Sequence, residues 1–421
     1  MRILHCLSQI PGKTGSGVYL QAIVREAASA GHRQAVVCGL PQGMKIADCG
    51  LDLPAADIFP VRFETPQLPF PVAGMSDVMP YPSTCFSSFD AQRLKLYEKA
   101  FTEVLELAVS RFEPEIIHTH HLWLMTALCR KLFPGIPIVT SVHGTELRQL
   151  DLAPQLADRV IEGVAAVDQV MVLNRDQQAK VVRIFGFGQN QVTVVGTGYR
   201  RDLFCNTCCA KEKIPTLIYA GKLSRAKGVP WLLEAFAELE GDLRLWLVGS
   251  GAGPEAEAIR RQAAADPRVE CKGAVSQSEL AELFKKAHLM VLPSFFEGLP
   301  LVLLEALACD CRIVTTRLAG IEELLEREAI DSSVISLVPL PALEGPDQPR
   351  PEAETDFRND LRKALIFQLE KIRKEQFNCS LGLNRILTRA GWPEIFKRIE
   401  AIYARCRKRG STQGEAAVKR G

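Results

Sequence analysis

The chain alternates short apolar runs with longer helical stretches, and it does so in two successive series. No other feature limits the fold as much. In the first half the apolar runs are 3–7, 35–38, 116–119, 138–142, 170–173 and 192–195. In the second they are 216–220, 243–248, 269–272, 289–292, 312–315 and 334–337. Continuous apolar runs separated by helices are the pattern of parallel strands covered on both faces. Two series predict two doubly wound α/β domains, with the junction near 197–213. Helices are expected at 17–30, closed by Gly31, and at 90–111, capped by Asp90. Further helices are expected at 228–239, 254–264, 277–287, 301–309, 321–327, 357–373, 380–389 and 392–407. Two segments, 59–89 and 339–354, have no period, and connections that long are usually functional or mobile. The polar tail 408–421 is expected to be disordered.

Composition narrows the function classes. Lys plus Arg total 51 against 49 Asp plus Glu, a formal charge of +2, which makes no case for a dedicated nucleic-acid binder. Thirteen cysteines are scattered along 421 residues. An odd, dilute set is no disulfide framework, so reduced thiols and a cytoplasmic location are expected. Cys205, Cys208 and Cys209 lack the second ligand pair of a zinc site. The apolar N-terminal run is too short for a signal peptide and reads as a strand. No run reaches the length of a membrane span. The stretch 90–111 sets Arg93, Lys95 and Lys99 beside Leu94, Leu96, Phe101 and Leu105. Such a helix can lie peripherally on anionic lipid at the inner face of the membrane; more commonly its apolar side faces a core.

Ligands of open α/β sheets bind beyond the carboxyl ends of the strands, so the residues after each strand are the candidates. Pro293-Ser-Phe-Phe-Glu297-Gly-Leu-Pro-Leu-Val-Leu-Leu-Glu305 runs from a strand end into a helix. A helix start there attracts a diphosphate, and the two glutamates can accept hydrogen bonds from sugar and ribose hydroxyls. The plain alternative is a capped helix with two solvated carboxylates. Gly221-Lys222-Leu-Ser-Arg225-Ala-Lys227 follows the first strand of the second series. Its three cations suit a departing diphosphate, or are simply a solvated basic loop. Gly249-Ser-Gly251 lets backbone approach a ligand such as a nucleobase; Pro254 leaves the dinucleotide fingerprint incomplete. In the first half, Thr14-Gly15-Ser16-Gly17 opens a helix without a P-loop ending. His143 ends a strand and can donate to a sugar hydroxyl or serve a structural bond. His118, His120 and His121 have no carboxylate partner in view, so no metal site is expected.

Together these motifs resemble glycosyltransferase family 4, retaining enzymes of the GT-B fold, over residues 1–325 and the final helices. The resemblance implies two Rossmann-like domains facing a central cleft, with the C-terminal helix crossing back to the first. The domains would be 1–198, on the acceptor side, and 199–375, which binds the nucleotide sugar. Helices 376–407, including Trp392-Pro-Glu-Ile-Phe396, would return to the first domain, and closure would carry His143 toward Glu297. The resemblance assigns Glu297 to the donor sugar and Glu305 to the ribose. It assigns the amides of Gly298, Leu299 and Leu301 to the sugar and phosphates, Lys222 and Lys227 to the diphosphate, Ser16 and Gly17 to the glycine-rich loop, and His143 to the reacting face.

Four positions depart from the family pattern. Lys222 stands where Arg is usual and lacks its fork. Ser16-Gly17 and Ala319-Gly320 replace Gly-Gly pairs, and Asp310-Cys311-Arg312 replaces a glycine–proline step. The implied reaction moves a hexose-type sugar from a UDP or GDP sugar to a glycan or lipid-linked acceptor, as in polysaccharide biosynthesis, with no cofactor and no metal. A nucleotide-sugar 2-epimerase and a non-catalytic nucleotide-sugar-binding protein are the alternatives on this fold.

Overall fold

The computed structural model describes all residues except 13, 77–78, 207–209, 252, 298, 331–332, 346, 375–380 and 419–421; side chains at 326–329, 381–382 and 409–418 are also outside the description. Cys208, Cys209 and Gly298 therefore lie outside the described residues. The chain divides into two compact units, 1–197 with 392–421, and 198–391.

In the first unit the strands are β1 (Arg2–Leu7), β2 (Arg33–Pro41), β3 (Ile58–Phe63), β4 (Ala73–Gly74), β5 (Thr84–Cys85), β6 (Ile116–His120), β7 (Ile138–Ser141), β8 (Gln169–Val172) and β9 (Val192–Val194). Its helices are α1 (Gly15–Ser29), α2 (Ala91–Phe112), α3 (Leu124–Leu132), α4 (Thr145–Leu152), α5 (Ala157–Val164) and α6 (Arg175–Phe185). Seven strands form a parallel sheet in the order β3-β2-β1-β6-β7-β8-β9. All six expected strands are present. β3 escapes the pattern because Pro60 interrupts it; an edge strand tolerates proline, and β3 is the edge.

Much of segment 59–89 is core and not free loop. Phe63, Leu68, Phe70, Val72, Met75, Phe86 and Phe89 are buried and belong to one core with Tyr97 and Phe101 of α2. α2 starts as expected, with the Asp90 carboxylate accepting the Arg93 amide at 2.7 Å. Tyr97, Phe101, Leu105, Ala108 and Phe112 turn its apolar stripe inward. The lipid reading of this helix thus loses its apolar face.

The second unit holds β10 (Thr216–Ala220), β11 (Arg244–Val248), β12 (Val269–Gly273), β13 (Leu289–Leu292), β14 (Arg312–Thr316) and β15 (Ile335–Val338). Its helices are α7 (Val229–Ala237), α8 (Gly253–Ala264), α9 (Gln277–Lys286), α10 (Leu301–Ala308), α11 (Ala319–Ile330), α12 (Pro351–Lys374) and α13 (Leu381–Arg389). Six parallel strands run β12-β11-β10-β13-β14-β15. That is a doubly wound order, and it reverses between β10 and β13, where ligands of such sheets bind. α12 begins earlier than expected because Pro351 suits a first helical turn.

The last helix, α14 (Trp392–Val418), belongs to the first unit. Trp392, Ile395, Phe396, Ile399, Ile402, Tyr403 and Cys406 recur at helical spacing and pack with Tyr19, Ala22, Ile23 and Ala27 of α1. The helix continues through the tail that composition reads as disordered, since an established helix propagates cheaply. No described helix is long and apolar enough to cross a membrane.

Candidate active site

In the second unit, Gly228 decides how the loops after β10 and β13 meet. Its φ of 71° is left-handed, and a Cβ there would lie 2.0 Å from the Pro293 carbonyl oxygen. Only glycine permits that approach. The Phe295 amide then donates to the Ala226 carbonyl at 3.0 Å, and Lys227 reaches the second loop. Its Nζ lies 2.8 Å from Glu297 Oε1 and donates to the Phe296 carbonyl at 3.2 Å. Tyr219, at the end of β10, donates its hydroxyl to the Lys222 carbonyl at 2.6 Å and so anchors the basic turn. Burial, and then the Glu297 charge, raises the Tyr219 phenol. The sequence reading missed Tyr219; its place next to the carboxyl end of β10 was the available signal. The Lys222 side chain is exposed.

Glu305 sits in α10, a helix buried on nearly every side through Leu303, Leu304, Ala306, Leu307 and Ala308. The carboxyl is only 7% exposed and forms no hydrogen bond or ion pair among the described residues. Burial alone pushes its pKa up to about 7. A buried carboxyl without partners is costly unless something supplies donors.

Several expected contacts are not available as expected. Arg225 does not join the Lys227–Glu297 pair; its guanidinium lies over Trp231 at 4.6 Å and pairs with Glu354 at 3.2 Å. The Leu301 amide is committed to the Leu299 carbonyl at 3.0 Å, so of the three amides expected to face a ligand it is already paired. Leu299 itself is half-buried. Gly249 and Gly251 serve backbone packing: a Cβ on Gly249 would lie 1.9 Å from the Gly221 carbonyl oxygen, and one on Gly251 2.7 Å from that of Leu223. These glycines join the loops after β10 and β11.

In the first unit, the Ser16 hydroxyl donates to Gln9 Oε1 at 3.1 Å, and the Gly17 amide donates to the Thr14 hydroxyl at 3.2 Å. A Cβ on Gly17 would meet the Gly12 amide nitrogen at 2.5 Å. This turn is an N-cap packed on the preceding residues of its own loop, with the hydroxyl and the amide already bonded.

His143 is more strongly organised than expected. Glu146, fully buried in the first turn of α4, accepts the His143 amide with both oxygens, at 2.9 and 3.2 Å. The same carboxylate lies 2.9 Å from His121 Nδ1. His121 follows β6 directly with a left-handed φ of 73°, a strain that persists only when surroundings fix it. Burial raises the Glu146 carboxyl, but the His121 charge and bond, with those of His143, outweigh it and bring the pKa down to about 2. Burial, with the His121 charge, holds the His143 imidazole well below its ordinary value and hence neutral at pH 7. Its Nε2 faces His120 Nδ1 at 3.4 Å. The carboxylate thought absent beside His121 is Glu146, which sequence distance hides.

Comparisons with known proteins bear on the family and the fold. Residues 14–198 match the family model "Glycosyl transferase 4-like domain", and residues 214–339 match "Glycosyl transferases group 1". A D-inositol 3-phosphate glycosyltransferase of Xylanimonas cellulosilytica is 27% identical over 277 residues, 58% of this chain and 66% of that protein. An N-acetyl-alpha-D-glucosaminyl L-malate synthase of Bacillus anthracis is 26% identical over 307 residues, 69% of this chain and 77% of that protein. The chain thus spans about two thirds to three quarters of the length of these relatives. Among solved structures, a sucrose-phosphate synthase from Thermosynechococcus elongatus superposes with a TM-score of 0.68 at 17% identity, covering 96% of this chain and 99% of that one. Anabaena HepE, solved with UDP and glucose, gives 0.64 at 16%, with 96% and 99% covered.

Two parallel, doubly wound units of this order give the chain the GT-B fold. Within that fold class it belongs to the group 1, family 4 glycosyltransferases.

Proposed function

We propose that this enzyme moves a hexose-type sugar from a nucleoside-diphosphate sugar to a glycan or lipid-linked acceptor, with retention at the anomeric carbon. The observation that carries the reading is Glu305: a carboxyl buried at the switch-point helix and lacking any donor among the described residues. A ribose diol offers two adjacent hydroxyl donors for it. Glu297, beside Lys227, takes the sugar hydroxyls. Lys222 and Lys227 hold the diphosphate and stabilise its developing charge, so the chemistry runs without a metal or cofactor. The sugar C1–O bond to the diphosphate breaks while the acceptor oxygen bonds C1 from the same face, and the acceptor proton passes to the departing diphosphate. In the first unit, neutral His143 is a donor or acceptor for a sugar hydroxyl. That HepE was solved with UDP-glucose favours a uridine donor.

A panel of UDP, GDP and ADP sugars, tested first for slow hydrolysis and then with acceptors, examines this directly. The expected result is release of one nucleoside diphosphate, with the product anomer by NMR matching the donor. An inverted anomer removes the retaining assignment. A donor epimerised at C2 without any acceptor replaces transfer by isomerisation, and binding without turnover leaves a nucleotide-sugar-binding protein.

A further inference from the structure

The first unit carries a second cluster of chemistry beneath the site, on β1 and β6. Parallel register sets His5 directly beside His118. Strand alternation puts His120 on the same face. All three imidazoles are at most 1% exposed. One nitrogen from each lies within 4.8 Å of the other two.

The surrounding bonds leave these nitrogens ready to ligate. Gln34 Nε2 donates to the Val24 carbonyl at 2.8 Å, which fixes the amide so that Gln34 Oε1 faces His5 Nε2 at 3.1 Å. His5 therefore carries its proton on Nε2, and its Nδ1 is a bare lone pair with no partner. His120 Nδ1 faces His143, while its Nε2 is buried and also without a partner. His118 is held between the Tyr403 hydroxyl at 2.7 Å and the Ser141 hydroxyl at 2.9 Å. To ligate, one of its nitrogens exchanges its hydroxyl for the ion while the other keeps its bond. Buried polar atoms left unmet are costly and call for an occupant. Metal-bound histidines characteristically engage their second nitrogen with a carbonyl, hydroxyl or similar group. Gln34, Tyr403 or Ser141, and His143 supply those outer partners here.

We propose that His5, His118 and His120 bind one divalent transition-metal ion of the zinc class inside the first unit. Three imidazole nitrogens are a borderline-soft donor set that suits zinc, copper or nickel and not magnesium or calcium. The ion braces β1 to β6 and, through His120, orients His143. It takes no part in the departure of the diphosphate, and the proposal does not depend on the transferase reading. Sequence spacing could not show it, because only the parallel register brings His5 to the other two.

The test uses the full chain, stripped with a strong chelator and reloaded with Zn²⁺ or Co²⁺. One equivalent per chain should survive gel filtration, Co²⁺ should give visible ligand-field bands of a nitrogen-bound ion, and thermal unfolding of the parent should shift upward on loading. His5→Ala should weaken Zn²⁺ retention by about 100-fold or more, since removing a ligand exceeds the effect of its outer partner. If that variant does not fold, the stoichiometry, bands and unfolding shift of the parent decide alone. Less than a tenth of an equivalent retained, no Co²⁺ bands and no shift would mean that water or hydrogen bonds alone fill the cluster. Full retention by folded His5→Ala would overturn the assignment equally. Both readouts are independent of sugar transfer.

Discussion

Glu146 and Glu305 make an instructive pair. Each lies early in a helix that follows a parallel strand, and each is buried. Yet one carboxyl titrates at about 2 and the other at about 7. Burial acts on both in the same direction, toward the neutral acid. The difference is company. Glu146 has the His143 amide and the His121 ring; Glu305 has no described protein donor. A buried carboxylate whose partners come from the protein is architecture. One whose partners are missing from the protein is a place for a ligand.

Removing Glu146 should break this contrast most severely. Glu146→Ala removes the carboxylate from the His143 amide and leaves His121 only the Thr145 hydroxyl, 3.4 Å away, and losing one side of a buried pair typically costs about 3–5 kcal/mol. For a unit of this size that corresponds to a fall of roughly 10 °C in Tm, measurable by calorimetry. Because its folded pKa lies below the ordinary 4.5, Glu146 stabilises the fold above that pH and ceases to do so as pH falls toward 2. An unshifted Tm would show that the pair holds nothing together.

Lys227→Ala tests the open end of the comparison. Stability should change little, because the Lys227–Glu297 pair is only partly buried. Turnover should fall by about 10²–10³, the usual effect of losing one group that stabilises transition-state charge. A variant that merely raises KM would move Lys227 from chemistry to binding.

Glu305 should make nucleotide binding depend on pH. Its folded pKa is raised, so ionising it costs the free protein about 3 kcal/mol of stability as pH climbs from 4.5 through 7. Ribose hydroxyls prefer the ionised form, so nucleoside diphosphate should bind about tenfold tighter at pH 8 than at pH 6, with a proton released. Calorimetry in buffers of different ionisation enthalpy reads both quantities. In Glu305→Gln the pH dependence should vanish; if it persists, another group is responsible.

The smallest effect is expected at Tyr219→Phe. Losing the hydroxyl that holds the Lys222 carbonyl should cost about 1 kcal/mol of stability and raise KM for the donor more than it lowers kcat. Equal kinetics with the parent would show that the basic turn needs no such anchor.

Much of this was legible from residues alone. The strands inside both sheets announce themselves as apolar runs, because parallel strands covered on both faces have no polar side; the edge strand β12, with Glu270 and Lys272, is only partly covered. That the last helix joins the first unit was implied by the family resemblance and not by residue spacing. The positions of Lys227, Glu297 and Glu305 after their strands were readable because strand ends locate ligand sites. What stayed hidden depends on register and contact. Ser16 and Gly17 look like a phosphate turn, but Gln9 and Thr14 already use the hydroxyl and the amide. Arg225 looks like a third site cation until Trp231 and Glu354 claim it. Glu146 and His5 gain meaning only from neighbours far away in the chain.

The return of α14 to the first unit has a consequence for synthesis. A chain made from its N-terminus produces β1, α1 and β6 early, but the helix that covers Tyr19, Ile23 and Ile116 is made only after the whole second unit. Domains generally fold as units during synthesis. The second unit, being contiguous, can close while translation continues; the first must wait with an apolar face uncovered. The bond from Tyr403 to His118 is thus among the last native contacts a nascent chain can make. Slowed or interrupted elongation near residue 392 would strand the first unit with that apolar face open to chaperones and to other unfinished chains.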